Sequence, residues 1–600
     1  MRTWPIEDHG VVGDLHTTAL VALDGTIDFF CFPRFDSPSV FAALLDEDKG
    51  GFFAFGPEVE TPARRQFYLP DTNVLMTRAS GGGGVTELID LMPVDAAGLA
   101  HNLVRRLKMV RGRTSVALTC RPAFDYARSG HRAHQAGDTV VFAPDAPGIT
   151  ALRLRSNLPL AIEDGAAVAR AELASGEEAW AVLEPASAGE HGPCSGEGYG
   201  DQALEATVKY WQRWIGRSTY RGRWKEMVDR SALALKLLTS VRHGSLVAAP
   251  TFGLPEEPGG VRNWDYRFTW IRDAAFTLYG FSRLGLNDEA RAFFHWLEEL
   301  CMDQAPGEPL QIMYGLDGAR ELPEATLDHL AGYGGARPVR IGNAAHGQLQ
   351  LDIYGELLDA AYLFDKYGAP TSIALWRRLA GLADWVAANW DQPDEGIWEV
   401  RGGRRDFLYA RIQCWVALDR AVRLALKRSL PGPIERWRRT RDRIYAQILR
   451  NFWDAERGAF VQAKDNRGLD ASTLTMPLVR LISPTDPMWL STLDAIQREL
   501  VEDSFVYRYR DADGLDGDEG TFSMCTFWYV ECLSRAGRLD EARFVFEKML
   551  SHANRLGLYA EELGPGGEHL GNFPQAFTHL SLISAAFDLD RRLESPGLVL

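Results

Sequence analysis

Along the first 205 residues, apolar positions come in short runs that alternate with polar ones or are rich in β-branched residues. ALVALDGTIDFFCF, GGVTELIDLMPV, NLVRRLKMVRG, TSVALTCRPAF, DTVVFAP, GITALRLRS and AWAVLEPAS are examples. Turn signals separate them: Asp-Gly at 24–25, four glycines at 81–84, Ser-Gly at 129–130 and Gly-Asp at 137–138. Many short strands at such spacing predict an antiparallel β-sandwich over 1–205. The period then changes. In LEATVKYWQRWIGRSTY, Leu204, Val208, Trp211 and Ile215 fall at helical spacing, which predicts a linker helix within 206–228. From 229 to 600 about twelve apolar-periodic segments follow, from SALALKLLTS to FPQAFTHLSLISAAFDLD. Long Gly-, Pro- and Asp-rich loops lie between them, and long loops in a compact domain are usually functional. Twelve helices without a sequence repeat fit six α-hairpins closed into a ring better than a solenoid.

Composition narrows the partners. Lys+Arg number 65 and Asp+Glu 81 in 600 residues, a formal net charge of −16, which argues against a nucleic-acid partner. No apolar stretch approaches a membrane span, and the N-terminus lacks a basic region followed by an apolar run. The seven cysteines (31, 120, 194, 301, 414, 525, 532) are scattered and none forms a C-x-x-C pair, so neither a disulfide framework nor a structural zinc site is indicated. These features make a cytoplasmic enzyme with no membrane partner the expectation; oligomeric state stays open, a homo-oligomer included.

Four loop segments concentrate chemistry. In GGVRNWDYRFTWIRDAAF, Arg262, Asp265, Arg267, Arg272 and Asp273 are interleaved with Trp264, Tyr266 and Trp270. Arg272 beside Asp273 at a helix start suits either a pair of sugar hydroxyls or a helix cap with a salt bridge. In 316–360, Arg337, Arg340, Asn343 and Gln348 offer donors around glycines; His346 has no second histidine at ligand spacing and reads as a polar loop residue. In DEGIWEVRGG, Glu399 follows Trp398. A carboxyl packed on that indole would lose solvation and hold its proton near neutral pH, as a general acid must; the alternative is an exposed glutamate before a turn. In GLYAEELGPGGEHLGNF, Glu561, Glu562 and Glu568 are candidates for a second carboxylate. Cleavage of a glycosidic bond needs such a pair, one to protonate the leaving oxygen and one to activate water. Two look-alikes fail. DADGLDGDEGTF (511–522) lacks the acidic fifth residue of a calcium loop and has Asp516 where the turn needs glycine. The glycines at 81–84 have no following G-K-[ST].

Taken in order, these segments resemble glycoside hydrolase family 15, the glucoamylase-like inverting α-glucosidases, over nearly the whole chain. IEDHGVVGDLHTTALVALDGTIDFFCFPRFDSPSVFAALL is similar to the N-terminal domain of the prokaryotic trehalase-like branch. RNWDYRFTWIRDA, ARPVRIGNAAHGQLQLDIYGELLDA, WEVRGG and EELGPGGEHLGNFPQAFTH resemble the catalytic barrel. The resemblance implies a β-sandwich followed by an (α/α)6 barrel, with Glu399 as acid and Glu561 as base. Glu562 stands where a glutamine is common, so the register between 561 and 562 stays open. Arg272 and Asp273 match the pair that grips the non-reducing glucose. Trp270, Arg337, Trp398 and Glu562 sit at positions that resemble further sugar contacts. APTFGLPEE departs from the usual pattern before L-P-E. The implied chemistry is a single displacement needing no metal or organic cofactor, with carboxyl groups about 6.5–9.5 Å apart. A small carbohydrate is the expected partner, trehalose first. A glucoamylase-type hydrolase of short α-1,4- or α-1,6-glucans, a transglycosylating relative and an inactive sugar-binding protein are the competing readings.

Overall fold

The computed structural model describes residues 3–94, 101–186, 198–302 and 308–595, with the side chains of 301 and 302 left out. Among the described residues the N-terminal region forms two antiparallel sheets of eight strands each, packed face to face. The first runs in the order His9–Gly13, Thr18–Ala22, Ile27–Cys31, Phe52–Pro57, Arg113–Arg121, Ala166–Ala174, Ala161–Glu163, with Ser39–Phe41 paired to Ile27–Cys31. The second runs His131–Ala136, Thr139–Pro144, Leu152–Ser156, Glu178–Pro185, Leu103–Arg111, Gly84–Leu91, Leu75–Gly81, Ala63–Tyr68. Strands such as Leu75–Gly81 alternate buried and half-buried positions, as a one-sided sheet requires. His9–Gly13, Thr18–Ala22 and Ile27–Cys31 are buried at every position. One face of these strands meets the sandwich core. The other meets the helical region, where Phe29 packs on Phe252 at 5.3 Å and Asn554 Nδ2 donates to His9 O.

The helices follow in chain order: α1 Tyr199–Ile215, α2 Lys225–Leu237, α3 Ile271–Arg283, α4 Asn287–Met302, α5 Asp352–Tyr367, α6 Ile373–Asn389, α7 Leu408–Arg428, α8 Ile434–Asn451, α9 Thr475–Leu478, α10 Pro487–Glu499, α11 Ser523–Arg535, α12 Leu539–Ser551 and α13 Ala576–Glu594. The linker helix expected within 206–228 is α1, which starts earlier and stops at Ile215. Gly216 follows it, and the chain then turns so that Tyr220 packs on Phe587 at 4.7 Å. The segment STLTMPLVRLI forms a 3-10 turn, Ala471–Leu474, and the short α9 rather than a long helix. Arg480 adopts a left-handed backbone just beyond α9 and ends it.

Helices α3, α5, α7, α9 with its 3-10 turn, α11 and α13 pack in sequence and close back on α3. They form the inner ring of an (α/α)6 barrel, and they are buried on nearly all sides: in α11 every position from Ser523 to Ser534 is buried. Gly355 lets α5 meet α7 closely, because a Cβ there would lie 2.2 Å from Gln413 O. Outer helices carry one apolar stripe, as in α8, where Trp437, Thr440, Ile444 and Ile448 are the buried positions. The long loops at 256–270, 316–350, 394–407, 505–522 and 557–575 all lead into N-termini of inner helices, so they gather at one end of the barrel.

A buried ion pair joins the two regions. Arg267 precedes α3, is 1% exposed and is paired with Asp265 at 2.7 Å. It reaches into the β-region, donating to Ser37 O at 2.7 Å and Tyr126 Oη at 3.0 Å. Truncating it would strand the Asp265 carboxylate, itself 0% exposed. Arg267→Ala is therefore expected to cost about 3–5 kcal/mol, read from the denaturant midpoint. A loss below about 1 kcal/mol, the range of an exposed pair, would contradict that placement.

Candidate active site

Residues 262–272 form the spine of the site. Most of this stretch is extended, with strands Asn263–Asp265 and Thr269–Trp270, so successive side chains point to opposite sides. Arg262, Trp264, Tyr266, Trp270 and Arg272 line a cavity of about 720 Å3 open to solvent at one end. Asn263, Asp265 and Arg267 face away from it: Asn263 donates to Pro338 O, and Asp265 pairs with Arg267. The cavity is completed by Ala248, Glu256, Asn343, Trp398, Glu399, Arg401, Arg508, Asp513, Glu561, Gln575 and Phe577, among others.

Both sequence-picked carboxylates face this cavity and both are held by the spine. Glu399 Oε1 accepts from Trp270 Nε1 at 2.7 Å and from Arg272 Nη2 at 3.2 Å. Its Oε2 accepts from no described residue. Glu399 has a left-handed backbone, φ 58°, in the turn that aims it. Such a conformation costs a non-glycine residue roughly 1–3 kcal/mol and clusters at functional sites. Glu561 Oε1 accepts from Tyr266 Oη at 2.6 Å, and Oε2 from Asn572 N at 3.3 Å. The Tyr266 and Trp270 rings lie edge to face, 5.4 Å between centroids. Burial, reinforced by the neighbouring Glu256 carboxylate, pushes the Glu561 pKa up to about 8 against the opposing pull of Tyr266 and Arg508.

Arg272 is the hub beneath Glu399. It is 6% exposed, donates to Gln350 Oε1 at 3.0 Å, and lies 3.6 Å from Asp352 and 3.8 Å from Asp273. No side chain caps α3. The Asp273 carboxylate instead lines the cavity, with Oδ2 buried and without a hydrogen bond, and burial pushes its pKa up to about 7. The N-termini of α3 and α13 reach this deep end, and their positive dipole ends favour the acidic lining.

The other expected residues fall differently. Trp398 lines the cavity, but its indole Nε1 donates to Asp470 at 3.0 Å, and the indole bonded to Glu399 is that of Trp270. Glu562 is not in the cavity wall. It follows Glu561 in extended backbone and so points the opposite way, accepting from Gly520 N at 2.7 Å and lying 3.3 Å from Arg508. Arg337 is also outside: its side chain is exposed and donates to Ala331 O at 3.2 Å. Nearby Arg340 and Arg401 instead flank Trp264 at 4.7 and 5.1 Å. His346 bonds Asn343 O within a 3-10 turn. Glu568 does not line the cavity. In 511–522, Asp513 and Glu519 serve arginines, Asp513 on Arg262 and Glu519 on Arg508. Among the described residues two groups have donor sets that suit a metal ion, Asp14/His16/His101 and Glu256/Glu519/Glu562, the second threaded by Arg508. Sequence reasoning passed over Glu256, Arg508, Gln575 and Phe577. Gln575, Phe577 and Glu256, the last in APTFGLPEE, lay in quoted motifs, and Arg508 did not.

The cavity thus presents two carboxylates, a buried Arg-Asp pair and several aromatic faces, a lining that suits a sugar. The pattern of Glycosyl hydrolases family 15 matches residues 222–587, and that of the trehalase-like N-terminal domain matches residues 1–186. The chain belongs to family 15 of the glycosyl hydrolases. It is 39% identical to the trehalase of Mycobacterium tuberculosis over 98% of this chain and 90% of that one. To the trehalase of Thermoplasma volcanium it is 36% identical, over 98% and 94%. A bacterial glucoamylase solved with acarbose shares the fold at a TM-score of 0.73 and 14% identity, over 98% of this chain and 94% of that one. No helix among the described residues is long and apolar enough to cross a membrane.

Glu561 is expected to titrate near pH 8, followed by carbon-13 NMR of the glutamate carboxyls with Glu561→Gln for assignment. Glu256→Gln removes a neighbouring negative charge, which favours the ionised form of Glu561, so its titration should move to lower pH. An unchanged or upward midpoint would contradict the electrostatic origin of the shift.

Proposed function

We propose that this enzyme hydrolyses trehalose with inversion, Glu399 acting as general acid and Glu561 as general base. The carrying observation is that the two carboxylates face one cavity, each hydrogen-bonded by the same short segment. Asp273 and Arg272, both on the cavity wall, bind hydroxyls of the glucose at the deep end. Glu399, oriented through Oε1, donates a proton from Oε2 to the glycosidic oxygen as the bond from C1 to that oxygen breaks. Water attacks C1 from the opposite face and gives its proton to Glu561. One sugar leaves as the inverted product and the other retains its configuration. Once ionised, a carboxylate of raised pKa is a stronger base than an exposed glutamate and takes that proton more readily. Water is the only co-reactant.

The choice of trehalose is supported by full-length relatives named as trehalases, at 39% and 36% identity. The described cysteines 31, 120, 414, 525 and 532 are buried and free, which suits the reducing cytoplasm proposed as the enzyme's compartment; Cys194 and Cys301 lie outside the described side chains. A panel of trehalose, maltose, isomaltose, kojibiose and soluble starch tests the reading. It predicts the highest kcat/KM on trehalose. A higher value on maltose or starch would assign a glucoamylase-type activity, and no glucose from any substrate would leave a sugar-binding protein.

Glu399→Gln keeps the shape and removes the proton. It should lower kcat on trehalose by about 100-fold or more, in line with the worth of general acid catalysis. Glucosyl fluoride, whose leaving group needs no proton, should remain a good substrate. Near-normal turnover of trehalose would exclude Glu399 as the acid. Glu561→Ala should be far more damaging than Glu562→Ala, because only the first side chain reaches the cavity.

A further inference from the structure

At the solvent-exposed end of the cavity, two loops run against each other. The backbone amides of Arg401 and Gly402 both donate to Asp513 O, at 3.2 and 2.9 Å. Glycine makes this approach possible. Gly514 has φ +86°, and a Cβ there would lie 2.7 Å from Gly402 N; a Cβ on Gly402 would lie 3.2 Å from Asp513 O. The Asp513 carboxylate locks the contact from the other side. It accepts from Arg262 Nη1 at 2.8 Å, Arg262 Nη2 at 3.2 Å, Tyr509 Oη at 2.8 Å and Leu515 N at 3.0 Å. Asp513 is 7% exposed despite lying in a surface loop.

This clasp is a partition. On one side Arg262, Arg401, Asp513 and Leu515 belong to the wall of the cavity that holds Glu399 and Glu561. On the other, Gly402, Gly403, Asp511, Ala512 and Asp513 line a second cavity of about 380 Å3. Tyr509 and Asp513 wall both. The deep end of the first cavity is shut by buried Ala248, Gln575 and Phe577, whereas at the clasp Trp264 and Leu515 are partly exposed and Arg401 is exposed. A glucose seated against Asp273 therefore directs the rest of its substrate past Glu399 towards the clasp.

We infer that the clasp between residues 401–402 and 513–514 is a specificity element that limits the substrate to two sugar units, by occupying the space through which a third would pass into the neighbouring cavity. This rests on the hydrolase reading above and adds the basis of its chain-length selection. On this inference the second sugar lies between Glu399 and the clasp. A third would have to displace the Asp513 backbone, breaking two amide hydrogen bonds and the Arg262 pair together. Exclusion of this kind acts against the wrong substrate and adds no contact to the right one.

Gly514→Val tests the inference without removing any cavity-lining side chain, since its Cβ forces the two backbones apart. Asp513→Ala, which removes the Arg262 and Tyr509 anchors, is the second variant, and circular dichroism reports folding of both. Each protein is assayed on trehalose and on trehalose extended by one α-1,4-linked glucose, scoring cleavage to maltose plus glucose, and on maltose and maltotriose. The wild type should prefer the disaccharide of each pair by about 100-fold in kcat/KM, the upper range of discrimination by pocket contacts. Either folded variant should shrink that preference at least tenfold, chiefly by gaining activity on the trisaccharide. A wild type that takes trisaccharides as readily as disaccharides, or a preference unchanged in both folded variants, would overturn the inference. If trehalose is not cleaved but maltose is, the trehalose reading fails while the maltotriose-to-maltose ratio still judges the clasp. Cleavage of no sugar overturns both.

Discussion

Everything at the site depends on the two-residue period of one extended segment, 262–270. Because alternate side chains must point to opposite sides, a single strand-like run serves two masters. Tyr266 and Trp270 turn inward and bond Glu561 and Glu399; Asp265 and Arg267 turn outward and bolt the segment into the β-region. The positions of the two carboxylates are thereby tied to each other, although 162 residues separate them in the chain. The β-region, whose described residues supply no side chain to the cavity wall, still bears on the site through Arg267.

That arrangement crowds charge into low dielectric, and the surrounding structure offsets it in two ways. Buried carboxylates are matched by buried guanidinium groups: Arg272 serves Glu399, Asp352 and Asp273, while Arg508 serves Glu256, Glu519 and Glu562. Where matching is incomplete, protonation takes over, which is why burial raises the pKa of Glu561 and of Asp273. One consequence is chemical, since a glutamate of raised pKa is, once ionised, a stronger base than one at the ordinary value. Another is that Asp273, on the cavity wall, is only loosely paired, 3.8 Å from Arg272.

Most of the architecture was legible in the sequence because period and turn chemistry are local. The alternation of the first 205 residues and the later helical spacing each reappear in the structure. The exceptions are local too: α1 stops at Ile215, and the left-handed Arg480 cuts α9 short. Of the site, the residues inside motifs were recoverable, and the ones that mattered through distance were not. Glu256 stood in the quoted APTFGLPEE, but nothing there, or near Arg508, marks either residue as a neighbour of Glu561. Arg337 was misplaced because a glycine-rich loop does not say which of its arginines faces inward; Arg340 and Arg401 flank the rim instead. Trp398 was credited with an indole contact that belongs to Trp270. The choice between Glu561 and Glu562 turns on which face of the extended backbone meets the cavity, which only tertiary structure decides.

The central claim is that Glu399 and Glu561 act from opposite faces of one bond, and the configuration of the first-formed sugar tests it most directly. Proton NMR of trehalose hydrolysis, recorded before mutarotation, should show α- and β-glucose appearing in equal amounts, because one anomeric carbon is inverted and the other untouched. With glucosyl fluoride of α configuration, where one carbon reports alone, only β-glucose should form. Initial release of α-glucose from either substrate in excess of these proportions would mean retention. Retention requires a carboxylate close enough to bond the sugar, roughly 5–5.5 Å from the acid, and would contradict the assignment of Glu561 as the base that activates water.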